Sequence, residues 1–145
     1  MNETLGAQLG GQYVTAAYLF IDREAGLMRY GAAGHPPLLR FRPGDGDILE
    51  LAENGLPLGM MDVAEYGQME QPLRQGDRFL LYTDGLADAT SPAGDFFGLE
   101  RVKAEIAATA GLPVESVAES ILKTTGGWTA GIAADDLTFV LVDCL

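Results

Sequence analysis

The residues with the clearest capacity for chemistry in this chain are acids that stand beside strand-like runs. Asp84 follows the apolar run Phe79–Leu81, and the pair Asp135-Asp136 precedes the run Leu137–Val142. A carboxylate at the end of a strand points out of the sheet edge, where it can meet a metal or a substrate. Hard divalent cations bind carboxylates, carbonyls and water. The pattern therefore predicts an oxygen-ligated divalent cation and, with it, a metal-dependent hydrolase.

Other readings of these acids compete with that one. An Asp-Gly after a strand is usually a turn, and an acid such as Asp88 is favourable in the first turn of any helix. We interpret Asp136 as a solvated residue at the start of a strand and Asp77 as a turn acid. A structural calcium site is disfavoured because no compact loop offers the six to eight oxygens required.

Composition narrows the class of protein. The 145 residues are most simply one domain, and their formal net charge of −12 disfavours binding to nucleic acid or to an anionic membrane. Cys144 is the only cysteine, which excludes an internal disulfide and suits a reducing compartment. His35 is the only histidine, so a histidine-based metal cluster is excluded. With no signal-like or membrane-length apolar run, we expect a soluble cytoplasmic protein.

Hydrophobic periodicity gives the elements that must position the acids. A run that is apolar on both alternating sets, Gln12–Asp22, predicts a central strand covered on both faces. Helical spacing predicts two helices, over Leu99–Ala110 and from Val114, the second ending at Gly126-Gly127. Hairpins followed by two helices and a last strand indicate an α+β fold of antiparallel layers. The remaining predicted strands are Leu27–Ala32, Leu38–Phe41, Ile48–Leu51, Tyr66–Leu73, Arg78–Thr83 and Leu137–Val142.

Six short motifs in a fixed order carry a family resemblance over nearly the whole chain. They are Ala33-Gly34-His35-Pro36-Pro37, Gly55-Leu56-Pro57-Leu58-Gly59, Gly76-Asp77, Tyr82-Thr83-Asp84-Gly85, Phe97-Gly98-Leu99-Glu100-Arg101 and Asp135-Asp136-Leu137-Thr138. In this order they resemble the metal-dependent protein phosphatases of the protein phosphatase 2C superfamily, and specifically the bacterial branch named after stage II sporulation protein E. The resemblance implies an antiparallel β-sandwich flanked by helices, in α-β-β-α layers.

The resemblance also implies roles for single residues. Asp84 matches the acid of the family's Thr/Ser-Asp-Gly motif and Asp135 the first acid of its late Asp-Asp/Asn motif, both metal ligands. Asp88 matches an acid that helps some members to hold an additional, weaker metal. Gly85 would let the backbone turn sharply beside the metal. No catalytic residue beyond the metal ligands and no organic cofactor are implied.

The implied reaction is hydrolysis of a phosphoserine or phosphothreonine ester by water that two Mg²⁺ or Mn²⁺ ions activate. Members of the branch act on small phosphorylated proteins that control sigma factors. The resemblance therefore implies a phosphorylated regulatory partner of the anti-sigma antagonist type.

One departure from the family pattern limits this expectation. The family's early Gly-Asp motif, whose aspartate bridges the metals, and its second early motif have no counterpart here, because Glu3 is the only acid before Asp22. We expect residues 1–145 to form a partial phosphatase domain that lacks its N-terminal part and has little activity alone. The alternative is a non-catalytic regulatory module that keeps the phosphatase scaffold. Missing strands also expose a sheet surface, through which we expect homodimers.

Overall fold

The computed structural model describes residues 2, 4, 10–52, 54–132 and 135–145, and in it the chain forms two compact units. One unit runs to Leu38 and continues over Glu50–Gln75, and the other comprises Leu39–Leu49 and Gly76–Leu145. Each unit contributes one sheet with mostly antiparallel pairing, and the described helices longer than one turn lie in the second unit. This arrangement confirms the predicted α+β class. Among the described residues, no helix is long and apolar enough to cross a bilayer.

The first sheet is built around one hairpin. Strands β1 (Ala16–Asp22) and β2 (Leu27–Ala33) pair antiparallel, and β2 also pairs with β5 (Asn54–Gly55) in parallel and with β6 (Met69–Pro72) antiparallel. Within the described part of the chain β1 has no partner other than β2, and Tyr18 is 57% exposed. The prediction that this strand is covered on both faces is therefore wrong. Its apolar alternation leaves two large aromatic side chains, Tyr18 and Phe20, exposed to solvent.

The second sheet has the order β4-β3-β7-β8. Its strands are β3 (Leu38–Arg42), β4 (Asp47–Leu51), β7 (Arg78–Tyr82) and β8 (Phe139–Asp143). β7 pairs antiparallel with both β3 and β8, so it is flanked on both sides and its residues are almost all buried. Burial on both faces explains why its sequence is a continuous apolar run rather than an alternating one.

Helices complete the second unit. They are α1 (Asp84–Ala87), α2 (Leu99–Ala108) and α3 (Val114–Trp128). The two longer helices each turn one apolar stripe toward the strands, as their spacing predicts. The resulting core consists of Leu39, Phe41, Leu80, Tyr82, Leu86, Ala89, Phe97, Val102, Ile106, Val117 and Ile121. This core fixes the end of β7, where the candidate site begins.

Helix α3 does not end at Gly126-Gly127 as predicted, but continues to Trp128. Glycine costs about 1 kcal/mol relative to alanine inside a helix, so other contacts must hold the last turn. Trp128 supplies them: its ring packs edge-on against Phe97 with centroids 6.1 Å apart, and its Nε1 donates to the Asp95 carbonyl at 3.1 Å. The guanidinium of Arg101 lies 4.1 Å from the centre of the same ring. Packing of one aromatic side chain thus outweighs the local preference of two glycines.

Two arginines are paired with acids inside the second unit. Arg42 donates to both carboxylate oxygens of Asp77, from Nε at 2.7 Å and from Nη2 at 2.8 Å, and Asp77 is fully buried. This hydrogen bond raises the pKa of the Arg42 guanidinium. Arg78 makes a similar fork with Asp143, at 2.6 and 2.8 Å, and also donates to the Leu112 carbonyl at 2.8 Å. Asp77 is therefore not a simple turn acid, because its buried carboxylate accepts hydrogen bonds from Arg42 of β3.

The Arg42–Asp77 pair gives a stability prediction. We expect Arg42→Met to lower the free energy of unfolding by about 3–5 kcal/mol, because it removes the cationic partner of a buried carboxylate. The matched control is Arg29→Met, which breaks the exposed Arg29–Glu70 pair and should cost no more than about 1 kcal/mol. Urea unfolding followed by circular dichroism measures both values. Equal losses in the two variants would contradict this account.

Candidate functional site

The first acid of the candidate site begins a short helix at the end of β7. Thr83 is extended, with φ −81° and ψ 158°, and Asp84 opens α1. Asp84 Oδ1 accepts a hydrogen bond from the Gly85 amide at 3.0 Å, and the Asp84 carbonyl accepts one from the Asp88 amide at 2.8 Å. Leu86 anchors this turn because its side chain is completely buried. Asp84 and Asp88 are thus the two exposed acids of one anchored helical turn.

The second acidic segment is bound directly to the end of the same strand. The Thr83 amide donates to the Thr138 carbonyl at 2.9 Å, and the Thr138 amide donates to Thr83 Oγ1 at 3.1 Å. The Thr83 hydroxyl also lies 3.3 Å from the carbonyl oxygens of both Asp136 and Thr138, so it can donate to either one. Asp135 lies just before this segment, and its Oδ1 accepts from the Asp136 amide at 2.7 Å. The threonine therefore joins the two stretches that carry the predicted ligands.

Gly85 lets these stretches approach each other. A Cβ atom built on Gly85 would overlap the Asp136 carbonyl oxygen and would lie 3.1 Å from its carbonyl carbon. The obstacle is backbone, so a rotamer change could not relieve the overlap. The family resemblance predicts a sharp turn beside the metal at this glycine, whereas the structure shows a different constraint, the close passage of the Asp136 backbone.

A cavity of about 230 Å³ opens beside this junction. Asp88 and Asp135 both line it, so the structure brings these two predicted residues to one space, while Asp84 is not among the lining residues. The other walls come from the α1 region, from the last turns of α3 and from the segment around the second acid. These lining residues are Gly85, Ala89, Leu122, Thr125, Gly126, Thr129, Gly131 and Leu137.

The oxygen atoms near this cavity are of the type that a hard cation binds, but the described residues gather too few acidic side chains at one point. Carboxylate and carbonyl oxygens are the ligands that Mg²⁺ and Mn²⁺ prefer. Across residues 2, 4, 10–52, 54–132 and 135–145, however, no three His, Cys, Asp or Glu side chains are gathered closely enough to hold a metal. The ligand roles of Asp84, Asp135 and Asp88 stay predictions.

Two residues of the site carried no usable signal in the sequence. Thr83 looked like part of the strand–turn motif, and its hydroxyl matters only because Thr138 pairs beside it. Thr125 lies in a helical turn that was predicted to be ending, so nothing marked it as a cavity residue. The sequence predicts a solvated acid at Asp136, and its side chain is indeed exposed, but its backbone carbonyl is the atom that Thr83 and Gly85 approach.

Comparison with characterised proteins identifies several relatives of this chain. The chain is 27% identical over 143 residues to Protein IcfG of Synechocystis sp., covering 97% of this chain and 22% of that protein. It is 26% identical over 117 residues to the phosphoserine phosphatase RsbU of Bacillus subtilis, covering 77% of this chain and 34% of that protein. The chain thus spans about a fifth to a third of the length of these relatives.

A solved structure and a family model agree with these relatives. The SiaA-PP2C domain of Pseudomonas aeruginosa matches with a TM-score of 0.78 and 26% identity, over 89% of this chain and 51% of that one. The model described as stage II sporulation protein E (SpoIIE) matches residues 1–145. Because that match covers the whole chain, the protein belongs to the SpoIIE family of PP2C-type protein phosphatase domains.

Proposed function

We propose that this chain is the part of a serine/threonine phosphoprotein phosphatase that brings Asp84 and Asp135, together with Asp88, to a divalent metal centre. The observation that carries the proposal is the junction at Gly85, where the Asp136 backbone passes too closely for any side chain and Thr83 bonds to the same segment. Backbone contacts thus hold the residue after Asp84 against the residue after Asp135. Such a junction is what a shared ion between two strand ends requires.

The chemistry that Mg²⁺ or Mn²⁺ supplies in such a centre is a water molecule acidic enough to attack a phosphate ester near neutral pH. The residues of this chain orient the ligands. The Gly85 amide holds one oxygen of Asp84, and the Asp136 amide holds one oxygen of Asp135, which leaves the second oxygen of each carboxylate for a cation. Hydrogen bonds to ligating carboxylates are a regular feature of metal centres because they fix the ligand orientation.

The proposed substrate is phosphoserine or phosphothreonine on a regulatory protein of the anti-sigma antagonist type. RsbU is named a phosphoserine phosphatase. A Mycobacterium tuberculosis protein with RsbU and RsbW domains matches this chain with a TM-score of 0.77 at 25% identity. The net charge of −12 supports a protein substrate over nucleic acid or an anionic membrane, and the single cysteine supports a cytoplasmic setting.

A second candidate is a regulatory module that keeps the scaffold without the reaction. The incomplete set of described metal ligands favours it. The two candidates differ in whether the parent protein hydrolyses a phosphoserine ester, so an assay of turnover separates them.

The metal assignment is tested by calorimetric titration of Mn²⁺ into the purified 145-residue chain. We expect weak binding that Asp84→Asn and Asp135→Asn each weaken by roughly tenfold or more, because each removes a charged ligand. Asp136→Asn is the matched control, since its side chain lies outside the lining of the cavity, and should leave the affinity unchanged. Identical heats for all four proteins would remove the assignment.

The same variants test the reaction in the whole parent protein. Phosphate release from a phosphoserine peptide should require Mn²⁺ and should be lost in Asp84→Asn and Asp135→Asn, while the isolated chain should release little. Normal turnover by both variants would refute the proposed function. Full Mn²⁺ binding without turnover by the parent protein would favour the regulatory module.

Gly85→Ala tests the junction itself. Alanine is the better helix former, yet the added methyl overlaps the Asp136 backbone, so we expect a loss of about 1–3 kcal/mol in unfolding free energy and weaker Mn²⁺ binding. Gly127→Ala is the matched control, because that helical glycine has open space around its Cβ position. It should be neutral or stabilising by up to about 1 kcal/mol. Stabilisation in both variants would show that the close approach has no energetic consequence.

We also propose that the chain self-associates through the exposed surface of the first sheet. Tyr13, Tyr18 and Val63 are 59%, 57% and 87% exposed, and Tyr18 lines an apolar groove of about 780 Å³. Light scattering at high concentration should give a dimer mass that Tyr18→Lys lowers to that of a monomer. Phe96→Lys changes an exposed aromatic residue of the other unit and should keep the dimer. A monodisperse wild-type monomer would count against this proposal.

A further inference from the structure

Thr83 occupies the position at which the chain leaves β7 and begins α1. A threonine at the start of a helix usually accepts a hydrogen bond from an amide of the first helical turn through its side chain. Thr83 has the extended backbone of such a residue, yet its side chain makes no capping bond. Its hydroxyl is directed to the segment before β8, where it contacts the Thr138 backbone and the Asp136 carbonyl. The side chain therefore serves the junction between the two segments and not the helix that it precedes.

The hydrogen bonds around Thr83 show what the hydroxyl does there. Tyr82 and Phe139 are the last residues that pair in the β7–β8 ladder, so Thr83 and Thr138 stand at the next position. The Thr83 amide donates to the Thr138 carbonyl at 2.9 Å, as in a regular antiparallel pair. The return bond differs from a regular pair, because the Thr138 amide donates to the Thr83 hydroxyl at 3.1 Å. A side-chain oxygen thus acts as an acceptor in the backbone ladder.

The backbone carbonyl of Thr83 is engaged in the helical turn. It accepts a hydrogen bond from the Leu86 amide at 3.1 Å, in the turn that Asp84 opens. Because the hydroxyl replaces this carbonyl as acceptor, the pairing extends one residue further while the main chain turns into α1. The hydroxyl proton can be donated to the carbonyl of Asp136 or of Thr138, each at 3.3 Å. Serine and threonine carry on Cβ a group that both donates and accepts in this way.

We propose that Thr83 is a positioning residue of the metal centre, whose hydroxyl holds the backbone after Asp135 beside the turn that begins at Asp84. The inference rests on the proposed function, because it concerns the geometry of two predicted ligands. Thr83 directly precedes one of these acids, and its hydroxyl bonds to the segment that follows the other. An ion shared by the two carboxylates requires a fixed separation between their backbones. The role needs no contact between Thr83 and the ion.

Substitutions of nearly equal size separate the hydroxyl from the shape of the side chain. Thr83→Val keeps a β-branched side chain, which suits the extended backbone, but removes the acceptor and the proton. We expect calorimetry to show Mn²⁺ binding to the 145-residue chain weakened roughly tenfold or more, as for other groups that orient metal ligands. Thr83→Ser keeps the hydroxyl and should restore most of the affinity. Thr109→Val is the matched control, because it removes a hydroxyl bond to the Glu105 carbonyl outside the junction, and should leave the affinity unchanged.

Hydrogen exchange of single amides, followed by NMR without any metal, tests the anchoring separately. The Thr138 amide should be protected in the wild type and in Thr83→Ser, and should exchange roughly tenfold faster in Thr83→Val, the effect of losing one hydrogen bond. The Cys144 amide donates to the Asp77 carbonyl at 2.9 Å at the other end of the same ladder. Its exchange rate should be the same in all three proteins. Equal acceleration of both amides would show a general loss of stability and would overturn the proposal.

The outcomes distinguish this inference from the proposed function. Loss of Mn²⁺ binding in Asp84→Asn and Asp135→Asn with unchanged binding in Thr83→Val would leave the proposed function standing and remove only the inference. Identical heats for the wild type and both aspartate variants would remove the proposed function and the inference together. Should Thr83→Val not fold, the other two proteins decide. An unprotected Thr138 amide in the wild type, or loss of Mn²⁺ binding in Thr83→Ser, would then overturn the proposal.

Discussion

Close backbone contact between Gly85 and Asp136 is the constraint on which the site depends. It forces the turn after β7 and the segment before β8 into contact, and the Thr83 hydroxyl fixes their register through Thr138. Because β7 and β8 are already paired along their length, the junction continues the ladder beyond the last strand residues. The backbones beside the two acidic positions therefore meet as a consequence of strand pairing. Within the described part of the chain, the carboxylates of Asp84 and Asp135 each accept a hydrogen bond from the backbone amide of the following residue.

The acids of the second unit fall into two electrostatic groups. Asp77 and Asp143 are paired with arginines and stabilise the sheet, whereas no ion pair within the described residues involves Asp84, Asp88 or Asp135. A buried carboxylate without a cation is strongly unfavourable, so the first group had to acquire partners. The second group is exposed to water. The fold thus separates acids that stabilise the sheet from the exposed acids near the ends of β7 and β8.

Much of this arrangement could be predicted from the sequence because strand and helix periodicities are local. The β7 run, the α2 stripe and the acids at the strand ends were visible as patterns. The end of α3 was not, because it depends on Trp128 packing against Phe97 and Arg101, which lie about thirty residues earlier. The burial of Asp77 depends likewise on Arg42 of another strand. Long-range partners decide such features, and a window of neighbouring residues contains no information on them.

Trp128 gives the molecule an intrinsic optical reporter. It is the only tryptophan of the chain, and it ends the helix whose preceding turn contributes Thr125 and Gly126 to the cavity. Its indole contacts the ring of Phe97, the guanidinium of Arg101 and the carbonyl of Asp95. A small rotation of the last helical turn would therefore change the polarity around the fluorophore. Emission from this single residue would therefore follow events at the end of α3 without any label.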